Sequence, residues 1–234
     1  MKRFYQNATV IEAEGGFTVS LDGKPVRTPA KQALAVPSRA LAEAIAEEWR
    51  RQGDTVNPRS LPLTRLCSIA IDLVEPRRDE VVAEIAKYAG TDLVCYRAEE
   101  PAELTARQHA IWQPLVDWAA LRFDAPLAVT AGVLPVAQAE DTLRAFERAI
   151  TAYDTPHLAA LHLATAACGS LVVALALVEG QIDAEGAFAA AELDESFEIE
   201  RWGEDSEQTR RRTALKADIE LARRFVELLA PSPQ

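Results

Sequence analysis

The segment FTVSLDG, at residues 17–23, decides the class of this fold because it carries the clearest strand signal in the chain. Its apolar residues alternate with Thr and Ser, which is the two-residue period of a half-buried strand. The Asp22-Gly23 pair at its end favours a tight turn, and Val26 begins the predicted returning strand. A shorter apolar run at residues 9–11 precedes the segment. The amino-terminal region is therefore predicted to contain short antiparallel strands.

Helical spacing follows these strands. Ser38 is a suitable N-cap, and Leu41, Ile45 and Trp49 recur at intervals of four on one predicted helix face. We expect Trp49 to be a structural residue that packs this helix against the sheet, so that its truncation would cost about 3 to 5 kcal/mol of stability. A second helix is predicted over residues 64–74, between two prolines.

Beyond residue 76 the strand signals are weak and Ala and Leu dominate. Pro114 is expected to kink or split the helical segment around it. The sequence therefore predicts an α+β fold, with a small two-layer domain of antiparallel strands plus helix at residues 1–76 and a larger α-helical bundle at residues 77–234. Helices of this bundle are predicted over residues 137–153, 156–178, 183–200 and 206–229.

The charged residues are unevenly distributed along the chain. The 25 Lys and Arg residues against 36 Asp and Glu give a formal net charge of -11 and a pI near 4.9. This balance excludes a general nucleic-acid-binding surface, because phosphate contacts need a basic face. Residues 1–80 carry a net charge of +1 and residues 81–234 carry -12. The acidity thus belongs to the predicted helical part, where it forms a candidate binding surface.

Cysteine usage and the absence of export signals predict a reducing compartment. Cys67, Cys95 and Cys168 form neither a disulfide framework nor a zinc pattern. The amino terminus shows neither a secretory signal nor a transit-peptide pattern, which predicts a cytoplasmic protein. Residues 158–178 are almost all apolar, but polar residues within them and acidic flanks predict a buried core helix. We therefore expect no stable membrane insertion.

Most motifs of enzyme chemistry are missing. Gly16 lies too far from Gly23-Lys24 for a phosphate-binding loop, and no glycine fingerprint for a dinucleotide occurs. His157 and His162 lie on different helix faces and lack the Glu of a zinc-protease motif. The Cys168-Gly169-Ser170 run lacks the pattern of a nucleophile elbow and favours close helix packing. The sequence predicts no cofactor and no metal.

The most informative stretch is ELDESFEIERWGED, at residues 192–205. On a helix Asp194 and Glu198 stack one turn apart, and Glu195 also approaches Glu198. Like charges so placed repel by a few tenths of a kcal/mol unless a cation, a metal or solvent compensates them. A dinuclear metal site would want Glu-x-x-His pairs, which the chain lacks. A general acid/base pair, a solvated face and a surface for a cationic feature of a partner stay open.

Trp202 favours the partner-binding interpretation, because Trp is enriched where binding energy concentrates. We therefore predict that Asp194, Glu195, Glu198 and Trp202 are partner-binding residues. The alternative is a small-molecule hydrolase or transferase that uses Glu195 and Glu198 as a carboxylate pair in a pocket between the domains.

Short segments along nearly the whole chain, in order, make the sequence resemble the assembly chaperones of the F-type ATP synthase. These chaperones handle the alpha subunit of the catalytic sector. The resemblance rests on residues 21–29, Glu48-Trp49 with Gln52, residues 62–64, 91–98, 112–115, 117–119, 169–171, 193–195 and 202–205.

The resemblance implies a non-enzymatic chaperone with a small amino-terminal α+β domain and a larger orthogonal helical domain. Its partner would be the unassembled alpha subunit, whose interface with the beta subunit it would shield until the hexamer closes. The family's important carboxylate, in the segment before the Trp-Gly pair, falls here on Glu195 with Asp194 beside it. Mitochondrial members carry a transit peptide, so a bacterial cytoplasm is the expected location of this chain.

Overall fold

The fold is described from a computed structural model that covers residues 2–132 and 134–230. By its internal contacts the chain divides into two compact units. The described residues of the first unit fall within Met1–Arg78, Thr155–Ala160 and Arg224–Gln234, and those of the second within Asp79–Asp154 and Leu161–Arg223. The predicted division into residues 1–76 and 77–234 is linear, whereas the first unit also takes two segments from late in the chain.

The strands form the antiparallel sheet that the sequence predicts. Strand β1 (Ala8–Ala13) pairs with β2 (Gly16–Leu21), which pairs with the short β3 (Lys24–Pro25). The predicted turn joins β2 to β3, and both of its central residues have positive φ, 48° at Asp22 and 86° at Gly23. This backbone matches the twist of a two-residue hairpin. The α+β class is confirmed.

Strand β2 is buried on both faces. Val19 and Leu21 are enclosed on one side, as the alternation predicts. Thr18 and Ser20 are also buried, and the hydroxyl of Thr18 donates to the carbonyl oxygen of Leu34 at 2.6 Å. The hydrogen bond allows a polar residue to lie in the core at little cost.

Helix α1 (Arg39–Arg50) begins as predicted, because the Ser38 hydroxyl accepts hydrogen bonds from the first-turn amides of Ala40 and Leu41. Its buried face contains the predicted Leu41, Ile45 and Trp49. The second predicted helix, at residues 64–74, is wrong in its limits. Helix α2 (Pro62–Ile69) starts earlier and continues as a π-helix, Ala70–Val74.

Helix α2 begins without a cap from its own N-cap residue, Leu61. Instead the carboxylate of Glu48, on α1, accepts hydrogen bonds from the amides of Leu63 (2.6 Å) and Thr64 (3.0 Å) and from the Thr64 hydroxyl (2.7 Å). A carboxylate at this end satisfies free amides and complements the helix dipole. Two segments of the resemblance, at residues 48–49 and 62–64, are thus one helix-capping device.

The rest of the described chain is mainly helical. Pro114 lies inside α4 without splitting it. A two-residue parallel pair joins β4 (Tyr96–Arg97) to β5 (Thr130–Ala131). Short 3-10 turns lie at Pro58–Ser60, Glu75–Arg77, Lys87–Thr91 and Leu93–Cys95. The remaining helices are α3 (Arg78–Ala86), α4 (Ala102–Phe123), α5 (Glu140–Thr151), α6 (Thr155–Cys168), α7 (Leu171–Val178), α8 (Ala184–Ala191), α9 (Leu193–Trp202) and α10 (Ser206–Leu229).

The single helix predicted over residues 156–178 is wrong. Gly169, with φ of 62°, ends α6, and Ser170 caps the amide of Val173 to start α7. The buried carboxylate of Asp92 accepts from the Ser170 hydroxyl at 2.5 Å and from the amide of Val172 at 3.1 Å. The small residues therefore form a helix break held by Asp92. Within residues 2–132 and 134–230, no helix is both long and apolar enough to cross a membrane.

The helix predicted over residues 183–200 is also two helices. It breaks at Glu192, whose φ of -108° and ψ of 26° lie outside the helical region. Asp183 caps α8 by accepting from the amide of Gly186 at 2.7 Å. The prediction at residues 206–229 is confirmed by α10, which has those limits.

Candidate partner-binding site

The four predicted partner-binding residues lie on α9, in the second unit. Asp194, Glu198 and Trp202 follow one another at intervals of four, so they form a single stripe along the helix. Glu195 lies on a neighbouring flank. Exposure increases along the stripe: Asp194 is half-buried, Glu198 is exposed and 85% of the surface of Trp202 is open to solvent.

Asp194 lies at the edge of an open pocket of about 490 Å³. One of its carboxylate oxygens accepts from the side-chain amide of Gln108, on α4, at 2.7 Å. The side-chain oxygen of Gln108 accepts a hydrogen bond from the backbone amide of Ala98 at 2.7 Å. The backbone carbonyl oxygen of Gln108 accepts one from the guanidinium of Arg97, also at 2.7 Å. The other oxygen of Asp194 makes no hydrogen bond with the described part of the chain. It is available to a donor from outside.

Arg97 also lines this pocket. Its guanidinium lies 5.1 Å from the centre of the Trp112 ring. Burial lowers the pKa of the Arg97 guanidinium, and the nearby Asp194 carboxylate opposes that shift. Trp112 is itself fixed, because its indole nitrogen donates to the carbonyl oxygen of Ala190 at 2.8 Å. Arg97, which lines the pocket, is therefore stacked on a fully buried aromatic ring.

The carboxylate of Glu195 is bound by residues of the second unit. Its carboxylate accepts from the side-chain amide of Gln208, on α10, at 2.9 Å, and lies 3.7 Å from the guanidinium of Arg211. Reversing this charge would place two cations side by side. Glu195 therefore serves the contact between α9 and α10, and Glu198 is the freer carboxylate.

An ion cluster around the buried Glu192 lies beside Glu195. Only 7% of the Glu192 side chain is exposed, and it pairs with Arg211 at 2.8 Å and with Arg212 at 3.0 Å. Arg212 also approaches Glu204 at 3.3 Å. Removing one partner of such a cluster leaves an uncompensated buried charge. This cluster holds the α8–α9 break against α10.

The other flank of α9 is neutralised by two arginines around Phe197. The guanidinium of Arg201 lies 3.9 Å from the ring centre and that of Arg107 lies 5.2 Å from it. Arg107 pairs with Glu103 at 2.9 Å and with Glu200 at 2.7 Å, and Arg201 pairs with Glu103 at 3.0 Å. These two arginines therefore pair with Glu103 and Glu200, and not with Asp194 or Glu198 of the stripe.

Sequence reasoning missed these arginines for different reasons. The Glu103–Arg107 pair is spaced by four on α4, and this local spacing could have been recognised. Arg211 and Arg212 lie 19 and 20 positions from Glu192, and nothing in one sequence links them. After all these pairings Glu198 has no ionic partner among the residues described.

The alternative interpretation takes Glu195 and Glu198 as a carboxylate pair. Glu195 and Glu198 do not line the pocket at Asp194. In residues 2–132 and 134–230 no three His, Cys, Asp or Glu side chains are grouped so as to hold a metal ion.

Trp49 lies in the first unit. Its side chain is buried, with the ring edge-on to Tyr5 at 5.6 Å between centres. The Tyr5 hydroxyl donates to the backbone oxygen of Trp49 at 2.7 Å. Its predicted structural role agrees with this burial and stays a prediction.

Comparison with known proteins begins with family models. Residues 2–120 match the model of the ATP12 chaperone protein family. The match covers both units in part, including the helix that carries Gln108.

Three relatives extend the similarity over the rest of the chain. The crystal structure of Atp12 from Paracoccus denitrificans is similar with a TM-score of 0.94 and 41% identity, over 98% of each chain. An aspartate-to-lysine mutant of that protein gives the same values. The Agrobacterium tumefaciens Atu1473 protein has 43% identity and a TM-score of 0.92, over 98% of this chain and 86% of its own. Mitochondrial protein atp12 of Schizosaccharomyces pombe is 26% identical over 214 residues, covering 86% of this chain and 74% of that protein.

Proposed function

This chain belongs to the ATP12 chaperone family, the assembly chaperones of the F-type ATP synthase, and from that premise we propose that it holds the unassembled alpha subunit of the catalytic sector. The proposal includes shielding of the alpha surface that later meets the beta subunit. It also includes a bacterial cytoplasmic location, which the higher identity to the two bacterial proteins than to the mitochondrial one supports.

The holding activity has a simple physical basis. A subunit interface exposed before assembly is an apolar patch that tends to aggregate. A protein that binds the folded subunit stabilises it by mass action and lowers the concentration free to aggregate. The holder must also release its client, so the contact should be specific without being extremely tight. A few exposed charges beside an aromatic anchor satisfy both needs.

The observation that carries the proposal is the Asp194–Glu198–Trp202 stripe. Its residues present an oxygen of Asp194 without an internal partner, a carboxylate at Glu198 without an ionic partner among the described residues, and an indole that is 85% exposed. Trp is enriched where binding energy concentrates, and Trp202 lies on the same stripe as the two carboxylates. We expect a basic side chain of the client to meet the two carboxylates, with Trp202 beside it.

Two substitutions test this contact with little risk to the fold. Glu198→Lys reverses a charge that pairs with no cation in residues 2–132 and 134–230, and Trp202→Ala removes an aromatic ring that is mostly in solvent. Each should weaken binding to purified unassembled alpha subunit about tenfold or more in a pull-down or by interferometry. Glu147→Lys, on the exposed face of α5, makes the same charge change and should bind normally.

The melting temperature of each variant should match the original chain, because neither side chain contacts the core. If both variants bind the alpha subunit as tightly as Glu147→Lys does, the stripe is not the contact surface. If the unchanged chain does not bind purified alpha subunit at all, the choice of client is wrong.

A further inference from the structure

Gln108, on α4, is a polar residue that the fold encloses almost completely, with 1% of its surface exposed. Glutamine is mostly exposed in folded proteins, so its burial requires that both ends of the side-chain amide find partners. The backbone amide of Ala98 donates to the side-chain oxygen at 2.7 Å, and the side-chain nitrogen donates to Asp194 at 2.7 Å. Both ends of the amide are thus used.

The partners of Gln108 determine which way round its amide lies. A backbone N–H can only donate, so the oxygen of Gln108 must face Ala98. The nitrogen then faces Asp194, whose carboxylate oxygens accept. The backbone of Gln108 is held as well, because its carbonyl oxygen accepts from the guanidinium of Arg97 at 2.7 Å. The donor presented to Asp194 therefore has a fixed position.

This donor restrains a carboxylate that is only half-buried. One oxygen of Asp194 is held on the amide of Gln108. The other oxygen lies at the pocket and receives no hydrogen bond from residues 2–132 and 134–230. A side chain that is already ordered loses less conformational entropy when a partner binds, which lowers the Kd by about three- to tenfold.

We propose that Gln108 is a positioning residue for the client contact, which orients Asp194 so that its free oxygen meets a cationic side chain of the partner. The inference rests on the contact proposed at the Asp194–Glu198–Trp202 stripe and extends it to a buried residue on a different helix. A purely structural role is the competing explanation, because the same amide joins α4 to the segment after β4. Positioning acts only through Asp194, whereas a structural role does not need that carboxylate.

A double-mutant cycle separates the two roles. Gln108→Met keeps the length of the side chain and removes both hydrogen bonds of the amide. With the full chain and purified unassembled alpha subunit, interferometry should give a Kd about three- to tenfold higher than that of the original chain. In the Asp194→Ala background, which the proposed contact predicts to bind more weakly, the same substitution should change the Kd by less than about twofold. All measurements are made well below the lowest melting temperature of the set, so that each variant is folded.

Gln138→Met is the matched control. Gln138 is also buried, and its side-chain amide donates to the backbone oxygen of Ala128 at 2.9 Å and accepts from the amide of Ala128 at 2.8 Å. This substitution should leave the Kd unchanged. Gln108→Glu is a second variant, since it retains the oxygen that binds Ala98 and replaces only the donor to Asp194. It should raise the Kd at least as much as Gln108→Met, because the new carboxylate repels that of Asp194.

The outcomes distinguish a wrong positioning role from a wrong contact. Equal increases of the Kd for Gln108→Met with and without Asp194 would overturn the proposal, and so would an equally large increase for Gln138→Met. An unchanged Kd for Gln108→Met, together with a raised Kd for Asp194→Ala, would show that the contact is right and the positioning role wrong. An unchanged Kd for Asp194→Ala would show that the contact proposed at this residue is wrong, and the role of Gln108 would fall with it.

Discussion

Several acidic residues of this chain act as fixed parts of the fold rather than as surface charges. Glu48 caps α2, and Asp92 holds the start of α7 through Ser170. Glu192 is buried and pairs with two arginines. Each carboxylate accepts from amides, a hydroxyl or guanidinium groups, which offsets the cost of its burial. The acidic composition therefore overstates how many carboxylates are available to a partner.

Asp92 gives the chain a defined dependence of stability on pH. Its complete burial raises the pKa of the carboxyl to about 6, although hydrogen bonds from Ser170 and nearby amides oppose the rise. Between about pH 4 and pH 6 the folded chain therefore holds a proton that the unfolded chain has lost. The contribution of Asp92 to the free energy of unfolding is greatest at the acid side of this window and falls by about 3 kcal/mol as the pH rises through it.

Urea unfolding at several pH values measures this contribution. Asp92→Asn removes the titrating group, so the variant should lack the part of the pH slope that the original chain shows between about pH 4 and pH 6. A uniform loss of stability in the variant does not affect the comparison, because only the slope is tested. Parallel slopes in the two proteins would show that Asp92 titrates at its ordinary pKa.

At the scale of elements, two breaks shape the helical part of the chain. The first lies at Gly169-Ser170 and the second at Glu192. The sequence period reveals neither break, because the residues on both sides are equally apolar or equally helix-forming. What fixes the first break is Asp92, 78 residues away from Ser170.

Gly169→Ala tests the first break. The position needs a φ of 62°, which an L-residue adopts at a cost of about 1 kcal/mol, while a Cβ there would meet no atom within 4 Å. The melting temperature should therefore fall by about 2 to 4 °C. Gly90→Ala, where φ is not positive and the space is equally open, serves as the control and should not lower it. Equal melting temperatures would mean that the break tolerates any residue.

Local patterns predicted some elements and failed at others for a physical reason. The hairpin at Asp22-Gly23, the cap at Ser38 and the limits of α10 follow from residues that are neighbours in sequence. The break at Ser170 and the arginines around α9 depend on contacts between residues far apart in the chain. The sequence predicted which residues form the stripe on α9. The contact of Glu195 with Arg211 is visible only in the structure, because the two residues lie far apart in the chain.

At the scale of the whole molecule, the net charge of -11 is concentrated in residues 81–234. Much of it is locally paired, as at Glu103 and Glu192, yet the sum still produces a negative field around this part of the chain. A basic client would be attracted over a distance comparable to the Debye length, about 10 Å at 0.1 M salt. The field should therefore govern how fast a client arrives more than how long it stays.

The salt dependence of client binding checks this expectation. Raising sodium chloride from about 0.05 to 0.5 M should lower the association rate with the alpha subunit several-fold and change the dissociation rate much less. Glu198→Lys should flatten the dependence of the association rate on salt. Stopped-flow measurements on both proteins give the two rates separately. An association rate that does not change with salt would contradict electrostatic attraction.

The exposure of the stripe on α9 determines which positions of this chaperone can be substituted without loss of stability. Glu198 has no ionic partner among the described residues, and the ring of Trp202 lies mostly in solvent, so neither side chain supports the fold. Substitutions there are not constrained by stability, unlike those at Glu192 or Asp92. Under the proposed contact, client preference and folding are separable in this helix, and varying the stripe alone, with the ion clusters on its flanks kept, should alter selectivity without unfolding the chain.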